Sequence, residues 1–197
     1  MIGMKRFFPL ALFAFVVTCC HAWAVYAKEE SAVSYGEALE QTARVIGDGF
    51  VAGSPDEVQA IARFTEFLRV WDPETIADSV RSVYASDAYF NDTIKEISTN
   101  EEVAHYLAES LAATELVRIE VKDVARSGVD YYFRWVMDIK FRNLNNGAWT
   151  QSEGMSQIRF NREGKVVMHR DFWDAAGGLF AHMPVVGSLL RWIKGRL

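Results

Sequence analysis

Residues 165–174 read KVVMHRDFWD, and the alternation in this stretch decides the fold. On a period of two, Val167, His169, Asp171 and Trp173 share one face, and Val166, Met168, Arg170 and Phe172 share the other. A half-buried strand normally keeps one face wholly apolar. Here an imidazole and a carboxylate lie on the face that carries Trp173, so the strand is expected to line a pocket and not a solid core.

Working outward, residues 116–124 set Val117, Ile119 and Val121 against Arg118, Glu120 and Lys122. Residues 131–141 set Phe133, Trp135, Met137, Ile139 and Phe141 against Tyr132, Arg134, Asp138 and Lys140. Asn145-Asn146-Gly147 is a hairpin signal, residues 149–160 form the next strand, and Glu163-Gly164 is the turn into the quoted stretch. Further upstream the period becomes helical. Ser54-Pro55-Asp56-Glu57 is a helix start, followed by Val58, Ile61, Phe64, Phe67, Leu68 and Trp71 on one side. Asp72-Pro73 opens a second helix with Ile76, Val80, Val83 and Tyr84 inward. A short strand over 88–92 follows, then a third helix over 100–112, capped by Asn100, with Val103, Tyr106, Leu107 and Leu111 inward. Helices followed by a four-strand meander predict an α+β domain with helices on one face of a strongly curved antiparallel sheet.

The helix order, the FND ending of the first strand, the SQIRF strand (156–160) and the HRDFWD strand (169–174) together resemble the nuclear transport factor 2-like superfamily. The nearer relatives in it are the SnoaL-like and ketosteroid-isomerase-like proteins. The resemblance covers residues 58–174. It implies a cone-shaped fold with a ligand cavity between sheet and helices, and Phe90, Phe133, Trp135 and Trp173 on the expected inward faces point to an apolar small molecule as partner. It implies either an isomerase, cyclase or hydrolase-type acid/base enzyme or a non-catalytic binding or protein-interaction module. Asp92 matches the isomerase general base, and Ser156 falls where the isomerase has its oxyanion-hole aspartate. The oxyanion tyrosine falls on Phe64 or Leu68, which donate no hydrogen bond, so the base is kept and the oxyanion hole is lost. His169, Asp171 and Trp173 fall on pocket-lining positions.

The residues also have readings of their own. Asp92 shares a face with Phe90, which suits a carboxylate to proton abstraction; the alternative is an aspartate capping the turn before Thr93. The i, i+2 spacing of His169 and Asp171 puts them on one face, about 7 Å apart. In an enzyme Asp92 is then the base, His169 the acid or donor, and Asp171 the group that orients His169; the alternative is a structural pair closing the cone. Phe90, Trp135, Ser156 and Trp173 are the expected substrate-contacting residues, although a Trp at such spacing also serves as core.

With 197 residues and half of them hydrophobic, the chain is long enough for one domain plus extensions. Lys5 and Arg6, the apolar run 7–17 and Ala22, Ala24 and Ala27 have the layout of a secretory signal. The run is short of the roughly 18–20 residues that span a bilayer, so export to a bacterial periplasm is expected, with an uncleaved tether as the alternative. Both cysteines, Cys19 and Cys20, lie in this segment, which leaves no thiol chemistry in a processed chain. Removing Lys5 and Arg6, with no acid in residues 1–27, takes the formal net charge from −5 to −7. That sign disfavours a nucleic-acid partner. His105, His169 and His182 form no ligand pair at recognisable spacing, so no metal and no cofactor are expected. The organisation expected is a signal over 1–27, an N-terminal arm over 28–55 with a helix over 35–46 using Leu39, Ala43 and Ile46, the cone domain over 56–174, and a basic tail over 175–197. In the tail Leu189, Leu190, Trp192 and Ile193 accompany Arg191, Lys194 and Arg196. This amphipathic piece is either a closure against its own domain or a homodimer partner, or a weak membrane-surface element.

Overall fold

The computed structural model describes residues 33–196. The expected signal segment and the first residues of the arm lie outside them.

The first helix, α1 (Tyr35–Ile46), buries Ala38, Thr42 and Ile46: Ile46 is inward as expected, but Ala38 and Thr42 take the places expected for Leu39 and Ala43. Polar anchors select that stripe. Tyr35 Oη donates to Gln157 Oε1 at 2.7 Å, and Arg159 Nη1 donates to Leu39 O at 2.7 Å and to Thr42 Oγ1 at 3.0 Å.

Helix α2 (Pro55–Arg69) starts as its sequence dictates, with the Ser54 side chain accepting from the Glu57 N–H and Pro55 in the first turn. Its buried side is Glu57, Ala60, Phe64, Phe67 and Leu68, whereas Val58, expected inward, is 57% exposed. The carboxylate of Glu57 takes the inward place because three donors meet it: Arg126 Nη1 at 2.5 Å, Tyr131 Oη at 2.8 Å and the Gly53 N–H at 2.5 Å. Burial opposes its ionisation, but the hydrogen bonds from Tyr131 and Gly53 and the Arg126 charge outweigh it and hold the carboxyl below the usual carboxylate range. Phe64 is the hub of the aromatic core, with ring centroids 4.8 Å from Phe133, 5.5 Å from His169 and 5.7 Å from Phe67. Burying one such ring contributes about 1.5–3 kcal/mol.

Helix α3 (Ile76–Val83) ends one residue short of Tyr84, which opens strand β1 (Tyr84–Asn91). A two-residue strand β2 (Glu96–Ile97) folds back on β1. Helix α4 (Asn100–Ala112) is capped by Thr99, not Asn100: Thr99 Oγ1 accepts from the Glu102 N–H and donates to Glu102 Oε2. Then come β3 (Thr114–Ser127), β4 (Asp130–Phe141), β5 (Trp149–Phe160) and β6 (Val166–Trp173). The Asn145–Gly147 turn between β4 and β5 is a 3-10 turn with positive φ at all three residues, and not a two-residue hairpin.

The six-stranded sheet runs β2-β1-β6-β5-β4-β3. The β3 to β6 meander is antiparallel, as expected, but β1 pairs with β6 in parallel, Phe90 opposite His169 and Asn91 opposite Arg170. Register shifts at Leu116, Asp123 and Phe160 and within β1 mark irregularities that bend the strands. One of them changes a reading. Phe160 pairs with Val166 while Arg159 pairs with Met168, so Val166 joins the core cluster in the place expected for Val167. The fold is a curved, unclosed α+β sheet with helices against one face, the architecture expected from the resemblance.

Candidate functional site

Between the sheet and helices α2 and α4 lies a cavity of about 370 Å³. All seven residues expected at the site line it: Phe90, Asp92, Trp135, Ser156, His169, Asp171 and Trp173. The rest of the wall is mainly apolar, with Phe67, Leu68, Leu107, Ile119 and Met137 among its members.

Strand alternation puts His169 and Asp171 on the same face of β6, and the pairing of β6 with β5 brings Ser156 opposite Asp171. Asp171 Oδ1 accepts from Ser156 Oγ at 2.5 Å and lies 2.8 Å from His169 Nε2. Trp135 Nε1 donates to the same serine oxygen at 2.9 Å. On the other side of the imidazole, His169 Nδ1 is 2.6 Å from Tyr84 Oη. A carboxylate only accepts, so a neutral His169 carries its proton on Nε2 and accepts at Nδ1 from the Tyr84 hydroxyl. Burial, with the charge of Asp171 behind it, pushes the Tyr84 hydroxyl well above the usual tyrosine range, which keeps it a donor.

The expected pairing of His169 with Asp171 is present, with Tyr84 and Ser156 as further partners. Both nitrogens of His169 are engaged inside the wall, so the imidazole has no free edge for a ligand. His169 and Ser156 together hold Asp171. Among the described residues no hydrogen bond engages Asp171 Oδ2, and the Asp171 side chain is 16% exposed.

Asp92 sits just past the end of β1, whose last paired residue, Asn91, lies opposite Arg170 of β6. Its Oδ1 accepts from the N–H groups of Ile94 and Lys95 at 2.9 and 2.8 Å, the turn cap weighed as its alternative role. Its Oδ2 accepts from Tyr106 Oη at 2.5 Å. Burial first, then the charges of Asp92 and Asp171, raise the Tyr106 hydroxyl above its ordinary value. Trp173 Nε1 donates to the Asp92 carbonyl at 2.8 Å and ties the ends of β1 and β6 together. Phe64, one of the two positions matching the oxyanion tyrosine, is fully buried in the core, and Leu68, the other, lies on the cavity wall.

Tyr84 and Tyr106 are the site residues that the sequence reading missed. Both sat on apolar helical stripes, and the one available signal was that each stripe carried a hydroxyl needing a partner.

The SnoaL-like domain family model matches residues 64–169, just over half of the chain, and the protein belongs to that family, within the nuclear transport factor 2-like superfamily. No curated protein sequence matches the chain. Among solved structures it is similar to a putative SnoaL-like polyketide cyclase from a Jannaschia species, with 13% identity, TM-score 0.54, and 64% of this chain and 93% of that one covered. A hypothetical protein of ketosteroid isomerase-like fold from Catenulispora acidiphila, in complex with trimethylamine, matches with 14% identity, TM-score 0.52, and 61% and 89% covered. AclR, a putative hydroxylase from Streptomyces galilaeus, matches with 18% identity, TM-score 0.52, and 66% and 97% covered. At these identities the likeness is one of fold.

Proposed function

We propose that this protein is an acid/base catalyst acting on an apolar small molecule, of the isomerase, cyclase or hydrolase type, with Asp171 as the group that takes the proton. The observation that carries the reading is the state of that carboxylate: on a residue that lines a mainly apolar cavity, one oxygen is held by His169 and Ser156 and the other makes no hydrogen bond among the described residues. A carboxylate partly removed from water costs several kcal/mol unless its surroundings compensate, and a fold that needed only a core has no use for it. In the chemical step a C–H or water O–H bond breaks and its proton passes to Asp171 Oδ2; the electron pair stays on the substrate, to which the proton is returned at another atom, or the attacking water oxygen bonds to carbon as a carbon–oxygen bond of the substrate breaks and the freed oxygen takes the proton back from Asp171. Asp92 and Tyr106 supply a second polar point on the same wall. His169 is a positioning residue, and the aromatic groups Phe90, Trp135 and Trp173 shape the space.

The test is to incubate the purified protein with an extract of apolar metabolites in D2O, and separately in H2¹⁸O, and to follow retained and isotope-labelled species by mass spectrometry. Labelling by the wild type that Asp171→Asn abolishes is the expected result. If the wild type labels nothing, or if Asp171→Asn labels equally, the catalytic reading fails. Retention without labelling supports the second reading, a binding-only module, which is favoured by the apolar residues at both positions that match the oxyanion tyrosine.

Export belongs to the same proposal and rests on Lys5, Arg6, the apolar run 7–17 and the alanines at 22, 24 and 27. Cell fractionation with N-terminal sequencing checks it. A soluble cytoplasmic product that still begins at Met1 would refute it.

A further inference from the structure

The C-terminal helix α5 (Pro184–Lys194) turns its apolar side outward. Val185, Leu189 and Trp192, at i, i+4 and i+7, share one side and are 81%, 55% and 58% exposed, with Val186 and Ile193 exposed beside them. The opposite side holds the helix to the preceding segment. Gly187 is buried, its N–H donates to Met183 O at 2.8 Å, and a Cβ there would come within 2.1 Å of Ala181 O. Arg191 Nη1 donates to the same Ala181 oxygen at 3.3 Å. A helix closing its own domain would face its apolar stripe inward; this one does the reverse.

Residues 175–197 carry Arg191, Lys194 and Arg196 and no Asp or Glu, in a chain of formal net charge −5. The segment leading into the helix also forms cavity wall through Leu179, and Gly178 packs directly against Ser152 and Trp173.

We propose that this helix docks the protein on an anionic lipid surface, and that the apolar ligand enters the cavity from that surface past Leu179. The route rests on the cavity reading given above; the docking does not. Aliphatic side chains beside a tryptophan and basic residues form the pattern of an interfacial helix; Arg196, stacked 3.8 Å over the Trp192 ring, and Lys194 supply attraction to anionic headgroups, while Arg191 is held on the far side by Ala181 O. A second copy of the chain is a poorer occupant. An eleven-residue helix is about 16 Å long, and five side chains fall well short of the roughly 20–30 residues a side of a stable protein interface.

The test uses the full chain with phosphatidylcholine vesicles, with and without phosphatidylglycerol. Because the run 7–17 is also apolar, the comparison is between wild type and Leu189→Glu/Trp192→Glu, which share it. The wild type should bind the anionic vesicles at least tenfold more tightly than the neutral ones, with affinity falling as salt rises. The double variant should lose at least tenfold while melting at the wild-type temperature. Equal binding by the two forms would overturn the proposal. So would a wild-type dimer that the substitutions dissociate without changing vesicle binding, since the face would then be a homodimer contact. For the route, transfer of N-phenyl-1-naphthylamine from anionic vesicles should be faster to the wild type than to the variant, with uptake from buffer equal. Equal transfer rates would refute the route alone, and no uptake from buffer by either form would refute the cavity reading and leave docking to be decided by the vesicle-binding comparison.

Discussion

His169 Nε2 and Asp171 Oδ1 lie 2.8 Å apart across two positions of one strand, and the imidazole supports the carboxylate. His169 is wedged among aromatic rings, with centroids 5.0 Å from Phe90 and 5.5 Å from Phe64, and its far nitrogen is occupied by Tyr84. It has little freedom to turn toward a ligand. Asp171 has one oxygen that is not so held.

From this arrangement Asp171→Asn should lower isotope labelling by about 10²-fold or more, the range expected for loss of a general base. His169→Gln and Ser156→Ala should lower kcat by about tenfold with KM little changed, since each leaves the open oxygen in place but less well aimed. His169→Gln, which can still donate to Asp171, should retain more activity than His169→Ala. Equal loss in the two histidine variants, or a loss confined to KM, would show that His169 does not act by positioning Asp171.

Alkaline pH should destabilise the protein through its buried tyrosines. The hydroxyls of Tyr84 and Tyr106 are raised by burial and nearby carboxylates, and burial and the bond to Glu57 push Tyr131 up to about 12. The folded state therefore holds protons that the unfolded chain releases near pH 10. The associated stability is fully present below about pH 10 and is lost as pH rises through the folded values. Tyr84→Phe removes the hydrogen bond to His169 and should cost about 1–2 kcal/mol at neutral pH, yet its stability should fall less steeply above pH 10. Melting curves from pH 8 to 11.5 decide the matter: parallel alkaline limbs in wild type and variant would contradict it.

Gly154 makes room for one wall of the cavity. It pairs with Trp135 across β4 and β5, and a Cβ on it would lie 2.4 Å from the indole. Gly154→Ala should displace Trp135, break its bond to Ser156 and cost about 1–3 kcal/mol, the usual range for overpacking. Urea unfolding measures the cost, and near-UV circular dichroism reports the indole. Unchanged stability with an unchanged aromatic signal would mean that the sheet opens there without strain.

The residues that periodicity placed best are those whose neighbours along the chain already fix their side. The seven candidate site residues fall on strand faces or at strand ends, where alternation assigns each to one side of the sheet, and all seven line the cavity. Helix α2 shows the limit of the same reasoning. Its apolar spacing pointed Val58 inward, but Glu57 is buried because Arg126 and Tyr131, some 70 residues away along the chain, supply its donors. No local pattern carries that information.

The sequence by itself determined the element order, the period change from helix to strand, the face of β6 that bears His169, Asp171 and Trp173, and the amphipathic character of the tail, because each follows from side-chain spacing over a few residues. Only the tertiary structure decided that β1 lies parallel beside β6, that Tyr84 and Tyr106 complete the polar wall, that His169 is hydrogen-bonded on both sides by Tyr84 and Asp171, and that the apolar side of the tail helix faces outward. Those facts depend on which distant groups meet in space, and a hydrogen bond or a packed ring is set by three-dimensional proximity that spacing along the chain does not encode.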